Sequence, residues 1–245
     1  MKCPGQDTQY WKPGAIFEVP CPECGVTVEF FKDDTSRKCR SCGHRFVNPH
    51  LDFGCAAYCQ YADQCIGNLP PEVLQSRDDL FKDRVAVAMK RYFGTDFKRI
   101  AHAVRVARHA EHIGRSERAN LAVALCAAYL HDVGLHEAEE KHGADAADHH
   151  EELGGPVAAS IMQKLGAGAD LAAEVCDIVT HHHHPGEDEE LNFRVVYDAD
   201  RIVNLEERQK KDPMPREEME AELAVGFLTE AGKKLAQEIL LVDDA

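Results

Sequence analysis

Residues 121–134 read LAVALCAAYLHDVG: an uncharged run, a histidine and an aspartate side by side, and a glycine two positions later. Leu121, Ala124, Leu125 and Ala128 return at intervals of three and four, so the run is a helix burying a stripe. His131 and Asp132 thus arrive at the end of an apolar helix. An imidazole and a carboxylate are costly to bury there unless something cationic binds them. Gly134 stands where a helix commonly stops, and it is read as the C-terminal stop of this one.

The same periodicity continues on both sides, and from about residue 71 to residue 245 the chain reads as helix throughout. FKRIAHAVRVARHAEHI, residues 97–113, sets Ile100, Ala103, Val104, Ala107 and Ala110 on one side with His102 among them. In DHHEELGGPVAASI, residues 148–161, a helix is expected to begin at Pro156, just after Gly155, with His149 and His150 upstream. A further helix from about Asp170 buries Leu171, Val175, Ile178 and Val179 and runs into four histidines, His181 to His184. The last stretch, FLTEAGKKLAQEILL, is an amphipathic helix that packs on the core. Cys126 and Cys176 lie on apolar helical faces and read as small buried side chains.

Residues 1–70 differ in kind, because eight of the ten cysteines fall there. CPECGVTVEFFKDDTSRKCRSCGHRF holds C-x2-C, fourteen residues, then C-x2-C, with Gly25 and Gly43 following the second cysteine of each pair. Cys21, Cys24, Cys39 and Cys42 can therefore turn four thiolates onto one zinc ion, on a short β-hairpin built from the Val26, Val28, Phe30 alternation. Cys55, Cys59 and Cys65 follow at C-x3-C-x5-C, one ligand short of four, and Cys3 completes a candidate second site for zinc or an iron-sulfur cluster. Pro70-Pro71 in GNLPPE marks a linker between this module and the helical domain at 71–245.

His102, the His131-Asp132 pair and Asp200 in YDADRIVNL follow one another in the order H…HD…D, and this pattern resembles the HD superfamily of metal-dependent phosphohydrolases. The stretch MKRYFGTDFKRIAHAVRVARHAEHI is similar to an uncharacterised bacterial branch of it. The resemblance implies an all-helical domain preceded by the zinc-ribbon-like module. It implies a divalent ion (Mn, Fe, Mg, Co or Ni) on His102, His131, Asp132 and Asp200, and metal-activated water that hydrolyses a phosphate ester or anhydride of a nucleotide or other small phosphorylated metabolite. Two-metal members add histidines between the HD pair and the last aspartate, and His150, His181 and His182 fill those places. His183 and His184 are expected in solvent.

His131, Asp132 and Arg201 are the expected catalytic residues, with Arg99, Arg105 and Lys141 as further candidate phosphate contacts. Asp198 should face elsewhere, being two residues from Asp200 on a helix. A minority of two-iron relatives are oxygenases, and a regulatory scaffold with a vestigial site is a third reading.

The formal net charge of −15 sits almost wholly in the helical part, where 21 Lys and Arg face 35 Asp and Glu. Such a field repels nucleic-acid backbone and anionic membrane, so bulk binding to either is not expected. No stretch approaches the roughly 20 apolar residues of a membrane span. The expectation is a cytoplasmic enzyme for small substrates, with its cysteine module available to a protein partner.

Overall fold

The computed structural model describes residues 14–32, 34, 36–50 and 78–241. The chain divides into two compact units, Met1–Leu80 and Phe81–Ala245. The expected linker at 67–72 and the candidate second site of Cys3, Cys55, Cys59 and Cys65 lie outside the described residues.

In the first unit each cysteine pair occupies the tip of its own antiparallel hairpin. β1 (Ile16–Pro20) pairs with β2 (Thr27–Phe31), and β3 (Ser36–Lys38) with β4 (Arg45–Val47). Both tips are closed in the same way: the backbone N–H of Gly25 donates to Cys21 O at 2.8 Å, and that of Gly43 to Cys39 O at 3.0 Å. Gly25 (φ 72°) and Gly43 (φ 79°) adopt the left-handed conformation such a tip requires, which a side chain resists. Between the hairpins Phe30 is fully buried, with Phe46 edge-on to its ring at 5.3 Å.

The second unit is helical. Its elements are α1 (Asp78–Phe93), α2 (Phe97–Glu117), α3 (Leu121–Leu130), α4 (Gly134–His142), α5 (Ala146–Lys164), α6 (Ala169–His181), α7 (Leu191–Lys211), α8 (Arg216–Ala224) and α9 (Glu230–Leu240). Asp96 opens α2 by accepting from the Arg99 N–H, and Asn120 opens α3 by accepting from the Ala122 N–H. α3 is the axis of the core: Val123 to Ala128 and Leu130 are all buried, with α2, α6 and α7 packed around it. Fully buried side chains such as Leu130, Ile113, Met162, Phe193 and Ile202 each stabilise the unit by about 1.5–3 kcal/mol.

Two sequence expectations are corrected here. Gly134 does not cap α3, which ends at Leu130; it is the first residue of α4. It is needed because α5 crosses there, and a Cβ on Gly134 would overlap the His150 carbonyl oxygen and lie 2.5 Å from the Gly154 nitrogen. Nor does a helix begin at Pro156. α5 starts ten residues earlier, at Ala146, and carries the proline inside it, so His150 sits on the same helix.

α9 is tied down by one buried carboxylate. Asp198 accepts from the backbone N–H groups of Leu228 (2.9 Å) and Thr229 (2.8 Å) and from the Thr229 hydroxyl (2.6 Å), while Thr229 accepts from Gly232 to cap the helix. Among the described residues no helix is long and apolar enough to cross a membrane.

Candidate metal centre

The turn after α3 carries His131 and Asp132 into a pocket where α2 brings His102 and α7 brings Asp200. His102 Nε2 lies 3.0 Å from Asp200 Oδ1 and 3.7 Å from Asp132 Oδ2, and His131 Nε2 lies 3.3 Å from Asp132 Oδ2 and 3.5 Å from Asp200 Oδ1. α5 and the end of α6 add a second group, His150, His182 and His183, whose ligand atoms lie within 4.8 Å of one another. Asp132 joins the two groups: its other oxygen, Oδ1, is 3.7 Å from His150 Nε2 and 3.9 Å from His182 Nε2.

Local backbone fixes how these imidazoles point. Nδ1 of His131 faces Ala128 O at 2.9 Å, Nδ1 of His150 faces Ala147 O at 2.6 Å, and Nδ1 of His182 faces Val179 O at 3.0 Å. A carbonyl oxygen can only accept, so Nδ1 carries a proton in all three rings and each Nε2 is directed inward. His102 is oriented by a carboxylate instead, with Nδ1 at 3.1 Å from Glu207 Oε1. Such outer partners are what align metal-binding histidines.

Several observations fit this pocket to divalent cations. His131 Nε2 is fully buried and has no hydrogen-bond partner. Burial would raise the pKa of Asp132, but His131 beside it holds it well below the usual carboxylate range. The same opposition, with His102 as the first hydrogen-bonding partner, holds Asp200 well below as well. Burial acts the other way on His131, whose pKa the charges of Asp132 and Asp200 keep well above that of a free imidazole. Burial and then the charge on His131 push His182 down to about 3, which leaves it neutral. The pocket thus holds two ionised carboxylates that keep the buried His131 protonated between them, a positive charge that a divalent cation would replace, with the neutral His182 beside them. The mixed imidazole and carboxylate donors are compatible with a divalent metal ion.

Of the residues expected from sequence, His102, His131, Asp132, His150, His182 and Asp200 converge. His181 does not. As the last residue of α6 it turns its Nδ1 to Asp177 O (2.6 Å), stacks on Phe193 at 4.7 Å and lies 3.5 Å from Glu189. His183 is exposed, as expected, yet it also turns its Nε2 to 3.2 Å from Asp200 Oδ2.

Arg201 lies away from the centre, paired with Glu222 at 2.9 Å and over the Phe227 ring. Asp198 also faces elsewhere, and burial pushes its carboxyl up to about 6 despite three donors. Arg99 is held by Asp96 and Glu139, Arg105 by Glu206 and Glu207, and Lys141 lies 3.5 Å from Glu137.

Three contributors were missed in sequence. Glu207 and Asn204 stand seven and four residues after Asp200, on the same face of α7, and Asn204 donates to Asp200 Oδ2 at 2.8 Å. Glu151 accepts from the His183 backbone N–H at 2.7 Å and pairs with His184 at 2.6 Å, pinning the chain that leaves α6. Helical spacing from Asp200 could have found the first two; no sequence signal marks Glu151.

In the first unit Cys21, Cys24, Cys39 and Cys42 bring their sulfurs within 4.8 Å of one another, with Cys21 to Cys42 and Cys24 to Cys39 both at 3.6 Å. Backbone N–H groups of Cys42 and Ser41 hold the Cys39 thiol down to about 7, while, against the His44 N–H, burial and the neighbouring sulfurs of Cys24, Cys21 and Cys39 push that of Cys42 up to about 12. The module is zinc-ribbon-like in its paired hairpin tips.

Residues 99–205 match the family model of the HD domain. Among solved structures, a crystal structure of a predicted HD superfamily hydrolase from an uncultured Thermotogales bacterium is 27% identical, with 64% of this chain and 82% of that chain covered and a TM-score of 0.44. No curated protein matches.

Proposed function

We propose, from the premise that residues 99–205 of this chain form an HD domain, that the protein is a metal-dependent hydrolase of phosphate esters or anhydrides. Its substrate is a nucleotide or another small phosphorylated metabolite. The observation that carries this reading is Asp132, one carboxylate whose two oxygens face two separate groups of inward nitrogen donors.

His102, His131, Asp132 and Asp200 would hold one divalent ion, and Asp132, His150 and His182 a second, with His183 adjoining. When bound, such ions polarise phosphoryl oxygens and lower the pKa of coordinated water toward neutrality. The chain's own work is orientation. The carbonyls of Ala128, Ala147 and Val179 hold three rings, Glu207 holds His102, and Asn204 holds Asp200, so no ligand reorients as charge develops on the phosphoryl group. Asp132 (side chain 15% exposed) and His183 (39%) are more open than His131 (0%), so substrate approaches from the His183 side.

The four cysteines would hold zinc as a structural site, leaving the hairpin faces to a protein partner.

The test is hydrolysis by protein loaded in turn with Mn, Fe, Co, Ni and Mg, using bis-p-nitrophenyl phosphate and a panel of nucleotides. Metal-dependent turnover lost in Asp132→Ala supports the reading; no turnover with any metal overturns it. The same donors suit two irons, and oxygen uptake by iron-loaded protein without phosphate release would favour the oxygenase reading.

A further inference from the structure

Between α2 and α9 lies a groove of about 720 Å³ whose two walls differ in chemistry. One wall is aliphatic, made by Leu235 and Ile239 of α9. The other is a basic stripe on α2: Arg105, Arg108, His109, His112 and Arg115 recur at helical spacing, and Glu111 is the sole acid between residues 105 and 115. In a chain of net charge −15 this is a marked local reversal of sign.

Part of the stripe is neutralised. Arg105 pairs with Glu206 and Glu207, His109 lies 3.9 Å from Glu206, and Arg115 pairs with Glu111 at 2.7 Å. Arg108 and His112 are exposed, and among the described residues no carboxylate pairs with either. Glu206 also lines the groove but is engaged by Arg105 and His109, and the residues that α9 contributes, Leu235 and Ile239, are aliphatic. The complement of such a groove is a molecule with an anionic head and an apolar body, and its volume is that of a small-molecule site.

We infer that the groove between α2 and α9 binds an anionic, phosphate-bearing small molecule, its head on Arg108 and His112 and its ring or alkyl portion on Leu235 and Ile239. Guanidinium suits the head because its fork of donors meets phosphoryl oxygens in pairs. The site is linked to the metal centre through one side chain. Arg105, in its lining, donates to Glu207, and Glu207 also holds Nδ1 of His102. An anion that draws Arg105 toward the groove therefore alters the support of a metal ligand. The inference goes beyond the hydrolytic reading and does not depend on turnover.

Calorimetric titration of the metal-loaded full chain with phenylphosphonate tests it, since this probe carries an anionic head and a ring and has no ester bond to cleave. The metal centre can also take the probe, so two variants separate the sites. Binding at the groove should persist in Asp132→Ala and weaken about tenfold or more in Arg108→Ala, in line with the loss of a charged hydrogen bond. Inorganic phosphate, which lacks the ring, should bind the groove more weakly, and Leu235→Ser should narrow the gap between the two probes. Methyl NMR signals of Leu235 and Ile239 provide a reading that does not need Asp132→Ala: they should shift on adding phenylphosphonate to the wild-type chain and stay still in Arg108→Ala. Binding that vanishes entirely with Asp132→Ala, or methyl shifts that are the same with and without Arg108, would overturn the assignment.

Discussion

The two candidate metal sites of this chain are built in opposite ways. The cysteine site takes its four ligands from two hairpin tips between residues 21 and 42, and little apolar surface stands behind them: Phe30, Cys21 and Cys39 are among the few deeply buried side chains there. The helical centre gathers its ligands from residues 102 to 200, on helices whose core is already closed by α3. The first is therefore predicted to need an ion to hold its hairpins together, and the second to keep its packing without one. Short-range ligand sets need a metal to fold, whereas long-range sets need a fold to exist.

That contrast can be broken most sharply at Asp132. Asp132→Ala removes the carboxylate shared by both groups, and hydrolysis should fall to background while the far-UV circular dichroism stays helical. A helical unit that unfolded with this variant would erase the distinction. Next in size is chelation. Structural zinc contributes about 10–16 kcal/mol to small domains, so a strong chelator should collapse the amide NMR dispersion of residues 16–47 and leave that of α2 to α7 in place. Glu207→Gln sharpens the comparison from the helical side, where orientation comes from a distant residue. It should cost about 10–100-fold in metal affinity, read by competition with a chromogenic chelator, with little change in melting temperature. Smaller still is the pair at the end of α6: His183→Ala should lower the metal content of the second group, while His181→Ala should leave it unchanged in elemental analysis.

Sequence reading was strongest where spacing alone decides geometry. The paired C-x2-C tips and the apolar run ending at His131-Asp132 needed nothing beyond local rules, and the convergence of His102, His150, His182 and Asp200 followed from the family pattern. It failed where a ligand's direction depends on how a helix ends. α6 stops at His181, and the chain then turns, with the His184 N–H donating to His181 O at 2.8 Å. Helical periodicity no longer applies past that point, so His183 swings back to the centre while His181 is left outside. Arg201 misled for a related reason: one residue on from Asp200 is a rotation of about 100° around α7, which carries it to Glu222. Gly134 and Pro156 were read as punctuation because local rules assign them to helix ends. Gly134 is instead set by a helix crossing that no local window contains, and Pro156 lies on the exposed side of a helix that began ten residues earlier.

The Gly134 crossing has one more effect. α4 meets α5 with peptide groups in contact, Gly134 against the His150 carbonyl and Gly154. The residues just before Gly134 supply Asp132 and His131, and the residues just before Gly154 supply His150. The gap between the two ligand groups is therefore gauged by main chain, the part of a protein that substitution cannot resize. Exchanging a histidine for another donor would change the chemistry of one group without changing how far apart the two groups stand. A single methyl at position 134 would do the reverse, resetting that distance while every ligand kept its identity.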